Sequence, residues 1–325
     1  MPEMLLCLLF GLAGDTRPAQ SDPAALDQAV EWIRQSTQVE AQYDYQMTVR
    51  IRMLFFWITR EDVGGGYIRR ARAAADPQLE TVAVLFGSDP AKAKGINRWG
   101  AGTEVLRRAP GAERAVEASA FMGFMKASKG ASVSEMQHEL ASEKTSGKHL
   151  FDANVTRADP ERAVARVSPF TSDRDFTLRE LDGAQQAALS RLADSSLPVR
   201  RLEEKDRGCP RLSGFLFTVQ ELLEQALEGK PAGTSLCYVY NARRYTATLR
   251  SYSSVSREVL KVNKSEAVYH NLLRARFQVL NHATGKTSDF DLLVPKEGPL
   301  RGVPVQIIHQ PNWWFQIVLN LSKIS

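Results

Sequence analysis

Tyr43-Asp44-Tyr45-Gln46-Met47-Thr48-Val49-Arg50-Ile51-Arg52-Met53 alternates apolar and polar residues without a break. Successive strand side chains point to opposite faces, so Tyr43, Tyr45, Met47, Val49, Ile51 and Met53 share one face. Asp44, Gln46, Thr48, Arg50 and Arg52 share the other. A helix would scatter both sets around its axis. The stretch therefore predicts a long half-buried strand, running from about Tyr43 to Arg60. Its continuation Met53–Ile58 (MLFFWI) is uniformly apolar and reads as strand covered on both faces.

The same alternation returns at the other end of the chain. Trp313, Phe315, Ile317, Leu319 and Leu321 form a uniformly apolar set, which predicts the core face of a closing strand. Trp314 falls on the mixed face beside the Gln310-Pro311-Asn312 turn. There its indole is left exposed unless a helix, ligand or partner covers it.

Between these ends the pattern is mostly that of strands and turns. Gly64-Gly65-Gly66 reads as a reversal, because glycine tolerates the positive φ that a tight turn needs. Thr81–Phe86, His149–Asn154, Ala163–Val167, Ser235–Tyr240, Arg244–Ser251, Asn271–Leu280, Ser288–Val294 and Val303–Ile308 read as further strands. Asn241 and Gly285 supply turn geometry. Helical spacing marks Asp22–Thr37, Glu113–Ala127, Asp182–Ala193 and Phe217–Glu228, the last with Thr218 as N-cap. Ser132–Lys148 is polar and poorly patterned, and Ser195–Gly208 is charged and proline-punctuated. The fold class is α+β and mostly β: curved antiparallel sheets, a half-barrel or meander, with a few packed helices.

Met4–Gly14 (MLLCLLFGLAG) is a continuous apolar run followed by polar and small residues. It is too short for a membrane-spanning helix and has the layout of a secretory signal peptide. The expected organisation is a signal peptide over 1–20, a β-rich region over 21–200, and a basic antiparallel β region over 212–325 with a leading helix. The expected location is periplasmic or secreted. Cys7 lies inside the apolar run, which leaves Cys209 and Cys237 as a candidate disulfide or as two separate thiols. Residues 235–325 carry 12 Lys+Arg against 5 Asp+Glu, so this part is basic while the rest, with 30 against 32, is nearly neutral. The basic sites are dispersed, as on a solvated strand face, and no nucleic-acid partner is expected.

Motifs for catalysis are missing from the sequence. There is no GxSxG, HExxH or GxxxxGK[ST], and no His or Cys spacing that makes a metal centre. No catalytic residue, metal ligand or cofactor is assigned. Two clusters are candidates for ligand contact. Asn97-Arg98-Trp99-Gly100 places an amide, a guanidinium and an indole together, a set that can hold a sugar or carboxylate. The other reading makes Trp99 a core residue at a glycine bulge. The second candidate is Trp314.

Three features of residues 217–321 resemble a bacterial periplasmic β-meander family of unknown function. They are the helix Phe217–Glu228, the strand pair around Tyr238–Tyr245, and Pro299-Leu300-Arg301-Gly302-Val303-Pro304-Val305 before a final hairpin. The Tyr43 strand with Gly64–Gly66 resembles that family's first hairpin. The resemblance implies a curved half-barrel like those of envelope lipoprotein carriers, and it carries no catalytic residue. The functional expectation is an exported, non-enzymatic protein that binds a lipid, another amphiphile or an envelope protein. The alternatives are an interaction module using exposed strand edges, and a hydrolase with an unrecognised site.

Overall fold

The computed structural model describes residues 22–53, 56–93, 98–108, 115–126, 149–159, 162–172, 177, 180–203, 206, 208–209 and 214–325. The predicted signal peptide, the polar stretch Ser132–Lys148 and Asn97 lie outside the described residues. Helix α1 is Asp22–Arg34. Strands β1 (Thr37–Met53), β2 (Phe56–Ala73), β3 (Leu79–Ser88), β4 (Arg98–Arg107), β5 (Ala115–Lys126), β6 (His149–Asp159) and β7 (Arg162–Ser172) follow. Then come α2 (Leu181–Leu192), β8 (Val199–Arg201) and α3 (Phe215–Leu227). The chain ends in β9 (Ser235–Tyr240), β10 (Arg243–Val262), β11 (Ser265–Asn281), β12 (Thr287–Pro295), β13 (Gln306–Asn312) and β14 (Phe315–Ile324).

Two meanders form one antiparallel sheet because the first strand pairs with the last. The order is β8-β7-β6-β5-β4-β3-β2-β1-β14-β13-β12-β11-β10-β9. Tyr45 stands opposite Leu321, Met47 opposite Leu319 and Val49 opposite Ile317. Tyr45, Met47 and Val49 are buried while Arg50 and Arg52 are exposed, as the period of two requires. The sheet is not closed: β8 and β9 are its edges.

Helices cover opposite faces of this sheet. Glu104 and Val105 are neighbours in β4, so they point opposite ways. Val105 packs with Tyr67, Leu85, Ala101, Ala118, Ala120 and Met122 beneath α1 and α2. Glu104 points the other way, to α3. That helix buries Leu222, Leu223 and Ala226 against Tyr238, Ala247, Leu249, Leu273, Ala275 and Phe277 of the other arm. One helix thus touches β4 in one arm and β9–β11 in the other, strands separated by at least six others in the sheet, so the sheet must curl around it. Phe121 of β5 confirms the curl by meeting Tyr240 of β9 edge-on, with ring centroids 5.3 Å apart. The backbone N–H of Asn241 donates to Thr156 Oγ1 of β6 across the same gap, at 3.2 Å.

Several sequence expectations are corrected. Glu113–Ala127 is not a helix where described: it is β5, whose Ala118, Ala120 and Met122 line one buried face at period two. Gly64-Gly65-Gly66 is not a turn but lies inside β2. A Cβ at Gly64 would lie 2.2 Å from the Gly87 carbonyl oxygen, and one at Gly66 would lie 1.8 Å from that of Leu85. The glycines therefore permit close backbone approach at a bulge, where the β1–β2 register shifts between Met47 and Val49. The single long strand to Arg60 is two strands, with the chain reversing between Met53 and Phe56. Pro311 and Asn312 belong to β13, and the final turn is Trp313-Trp314. Thr218 does not begin α3: the N-cap is Gly214.

Candidate functional site

The sequence-selected residues do not converge. Trp99 is buried in the cluster beneath α1 and α2, where it serves the core. Arg98 opens β4, and its side chain is outside the described set, as is Asn97. Trp314 stands exposed at the β13–β14 turn, on a different part of the sheet. Cys209 and Cys237 are joined by a disulfide with Cα atoms 5.6 Å apart. It ties the segment leading into α3 to the edge strand β9.

What gathers around Trp314 is a rim of exposed apolar side chains. The end of β1 lies beside the start of β14, with Ile51 opposite Phe315. Arg52 N–H donates to the Trp314 carbonyl oxygen at 2.7 Å, knitting the two turns together. The β1–β2 reversal brings Met53 opposite Phe56 and Arg52 opposite Trp57. Met53, Phe56, Trp57, Ile58, Trp313 and Trp314 are all exposed, Phe56 at 60% and Trp313 at 68%. Met53–Ile58 was expected to be covered on both faces and Trp313 to be core; both expectations fail at the described residues. The physical reason is position. These residues occupy the ends of strands, beyond the last neighbours that could cover them. The available sequence signal was a loss of alternation at Met53–Ile58, flanked by Arg52 and Arg60, and a paired indole beside Pro311-Asn312.

Charge at the rim is one-sided. Arg50, Arg52 and Arg60 are exposed. Residues 45–60 contain no Asp or Glu, and neither do residues 298–325. The first carboxylates along β2 are Glu61 and Asp62, and the latter is paired with Lys92 Nζ at 2.6 Å.

The concave side offers no comparable site, because α3 fills it. Glu104 is fully buried there and its carboxylate receives Leu216 N–H at 2.8 Å and Phe217 N–H at 2.9 Å. It satisfies the N-terminal donors that Gly214 has no side chain to cap. Burial pushes its pKa up to about 7, against the lowering effect of the Phe217, Leu216 and Phe215 N–H groups. An acid held this way is closed in by backbone and has no room for a substrate. Elsewhere, an open depression of about 390 Å³ between α1 and α2 is lined by Asp27, Val30, Glu31, Arg34, Gln35 and Ala193. Among the described residues no group of three or more His, Cys, Asp or Glu could hold a metal ion. No described helix is long and apolar enough to cross a membrane.

The chain matches no family model and no curated protein. Among solved structures it is similar to a β-barrel-like protein of domain of unknown function DUF1849 from Brucella abortus. The identity is 9% and the TM-score 0.45, over 90% of this chain and 98% of that one. That neighbour is itself a bacterial β-rich protein of unknown function, the kind of family the sequence resembles. The likeness is too distant to carry an argument about function.

Proposed function

We propose that this is an exported, non-enzymatic protein that engages an amphiphilic component of the cell envelope through the rim at the β1–β2 and β13–β14 turns. The observation that carries this reading is the contiguity of Met53, Phe56, Trp57, Ile58, Trp313 and Trp314, all exposed at one end of the sheet. Scattered surface apolar residues are ordinary, but a contiguous group containing three indoles marks a contact surface. Export is supported by the apolar run Met4–Gly14 and by the disulfide, a bond that persists in oxidising compartments. The strand-edge alternative has less support, since β9 lies near β6 across the gap and β8 is three residues long.

The test is binding to dodecylphosphocholine micelles, followed by tryptophan emission and by co-elution. The parent should bind with a blue shift. A Trp57→Ser, Trp314→Ser double variant should keep its melting temperature within a few degrees, because both side chains are exposed, and bind at least about tenfold more weakly. Equal binding by parent and variant would remove the rim from the account.

A further inference from the structure

We infer that the rim's occupant is the surface of an anionic phospholipid bilayer, which the sheet meets end-on. This rests on the amphiphile reading above and names its partner. Shape is the first argument. The rim lies on the ends of β2, β1, β14 and β13, four strands in immediate succession. At a strand spacing of about 4.8 Å they make a row roughly 14 Å long. A row of turn side chains projecting from an edge can enter a plane, whereas a single lipid molecule would need walls to enclose it. The concave side that could have provided walls is occupied by α3.

The side-chain chemistry is layered in the way a bilayer surface is. Met53 and Phe56, the pair nearest the tip, are purely apolar and suit the acyl region, and Ile58 lies two residues behind Phe56. Trp57, Trp313 and Trp314 each join an apolar ring system to one N–H donor, the combination favoured at the boundary of headgroups and acyl chains. Counting back from the Met53–Phe56 pair, Arg52 stands level with Trp57, Arg50 two residues further back opposite Thr59, and Arg60 on β2 opposite Val49. Those positions put guanidinium groups at headgroup depth once the tips are inserted. Guanidinium pairs with phosphate through two parallel N–H···O bonds.

Charge also decides against a second copy of this chain as the occupant. A two-fold contact through the rim would bring three arginines of each copy together. The nearest carboxylates in sequence are Glu61, beside Arg60, and Asp62, which is paired with Lys92, so the six arginines of two copies would outnumber the two Glu61 carboxylates available to neutralise them. An anionic lipid surface supplies that neutralisation, at about fivefold in affinity for each cation close to the surface.

The experiment is flotation with vesicles of phosphatidylcholine alone and of phosphatidylcholine mixed with phosphatidylglycerol, at low and high salt. Light scattering is measured in parallel on the protein without lipid. The expected result is binding at least about tenfold stronger to the mixed vesicles, weakening as salt rises. A variant with Arg50→Gln, Arg52→Gln and Arg60→Gln should fall to the phosphatidylcholine level, and its unchanged melting temperature would confirm that it is folded. Equal binding to both vesicles, unaffected by the arginine changes, would overturn the anionic partner while leaving the rim as an amphiphile site. Binding to micelles but to neither vesicle would overturn the bilayer in favour of single amphiphiles. Absence of binding to micelles and vesicles alike would overturn both readings. A dimer in lipid-free solution that Trp57→Ser and Trp314→Ser dissociate would replace the bilayer with a second copy.

Discussion

Glu104 ties the N-terminus of α3 to β4. Its carboxylate sits at the N-terminus of α3, where the Leu216 and Phe217 N–H groups and the helix dipole favour the charged form. Complete burial favours the neutral form more strongly, and its pKa rises to about 7. In the unfolded chain it returns to about 4.3. Between those values the folded protein holds a proton that the unfolded chain has released. Stability from this group is therefore complete below about pH 4 and falls as pH rises through about 7, by roughly 4 kcal/mol in all. Urea unfolding of parent and Glu104→Gln across pH 4 to 8 checks this. The parent should lose roughly that much relative to the variant as pH rises, and parallel curves would mean that Glu104 does not titrate in this range. Nothing local in the sequence reveals this role, because its helix partner lies 112 residues away. Trp313 and Trp314 were readable only as a strand pattern. Alternation fixes which side chains share a face but not where the strand ends, and the ends decide exposure here.

At the level of elements, alternation was legible wherever one face is buried and the other wet. That is why β1 and the closing strand β14 could be read from the sequence, with Met47 facing Leu319 in the paired sheet. It failed at β5, where Ala118, Ala120 and Gly123 are small enough to suit helix or strand, and only the sheet around them decides. It failed also at the triple glycine, which serves close approach rather than reversal. Gly66 has φ of 155° and leaves no space for a Cβ. Gly66→Ala should therefore cost at least about 2 kcal/mol. Gly123→Ala is the control: a Cβ there meets nothing within 4 Å, so the change should be neutral or slightly stabilising. Urea midpoints of the two variants check this pair, and similar losses from both would mean that the β2–β3 approach is not as close as described.

Across the whole molecule, the pairing of the first and last strands makes one sheet of two meanders, and α3 holds its arms together from the concave side. The disulfide between Cys209 and Cys237 closes a loop with a separation of 28 residues that contains α3. On loop length alone it is worth about 3–4 kcal/mol. Cys209→Ser with Cys237→Ser should lower stability by about that amount, read from thermal unfolding without reductant. A change under about 1 kcal/mol would mean that the clasp does not constrain α3. With the concave face filled, the exposed large aromatic side chains among the described residues lie at one end of the sheet, beside Arg50, Arg52 and Arg60. The claim that this end is the contact surface is tested most directly by placing the indoles in depth. Vesicles containing phosphatidylglycerol and lipids brominated along the acyl chain quench tryptophans that enter the bilayer. Tryptophan emission of the parent should be quenched strongly, and that of a Trp57→Phe, Trp313→Phe, Trp314→Phe variant, which retains Trp32 and the buried Trp99, should be nearly unaffected. Equal quenching of parent and variant, or none in a parent that floats with the vesicles, would contradict the account.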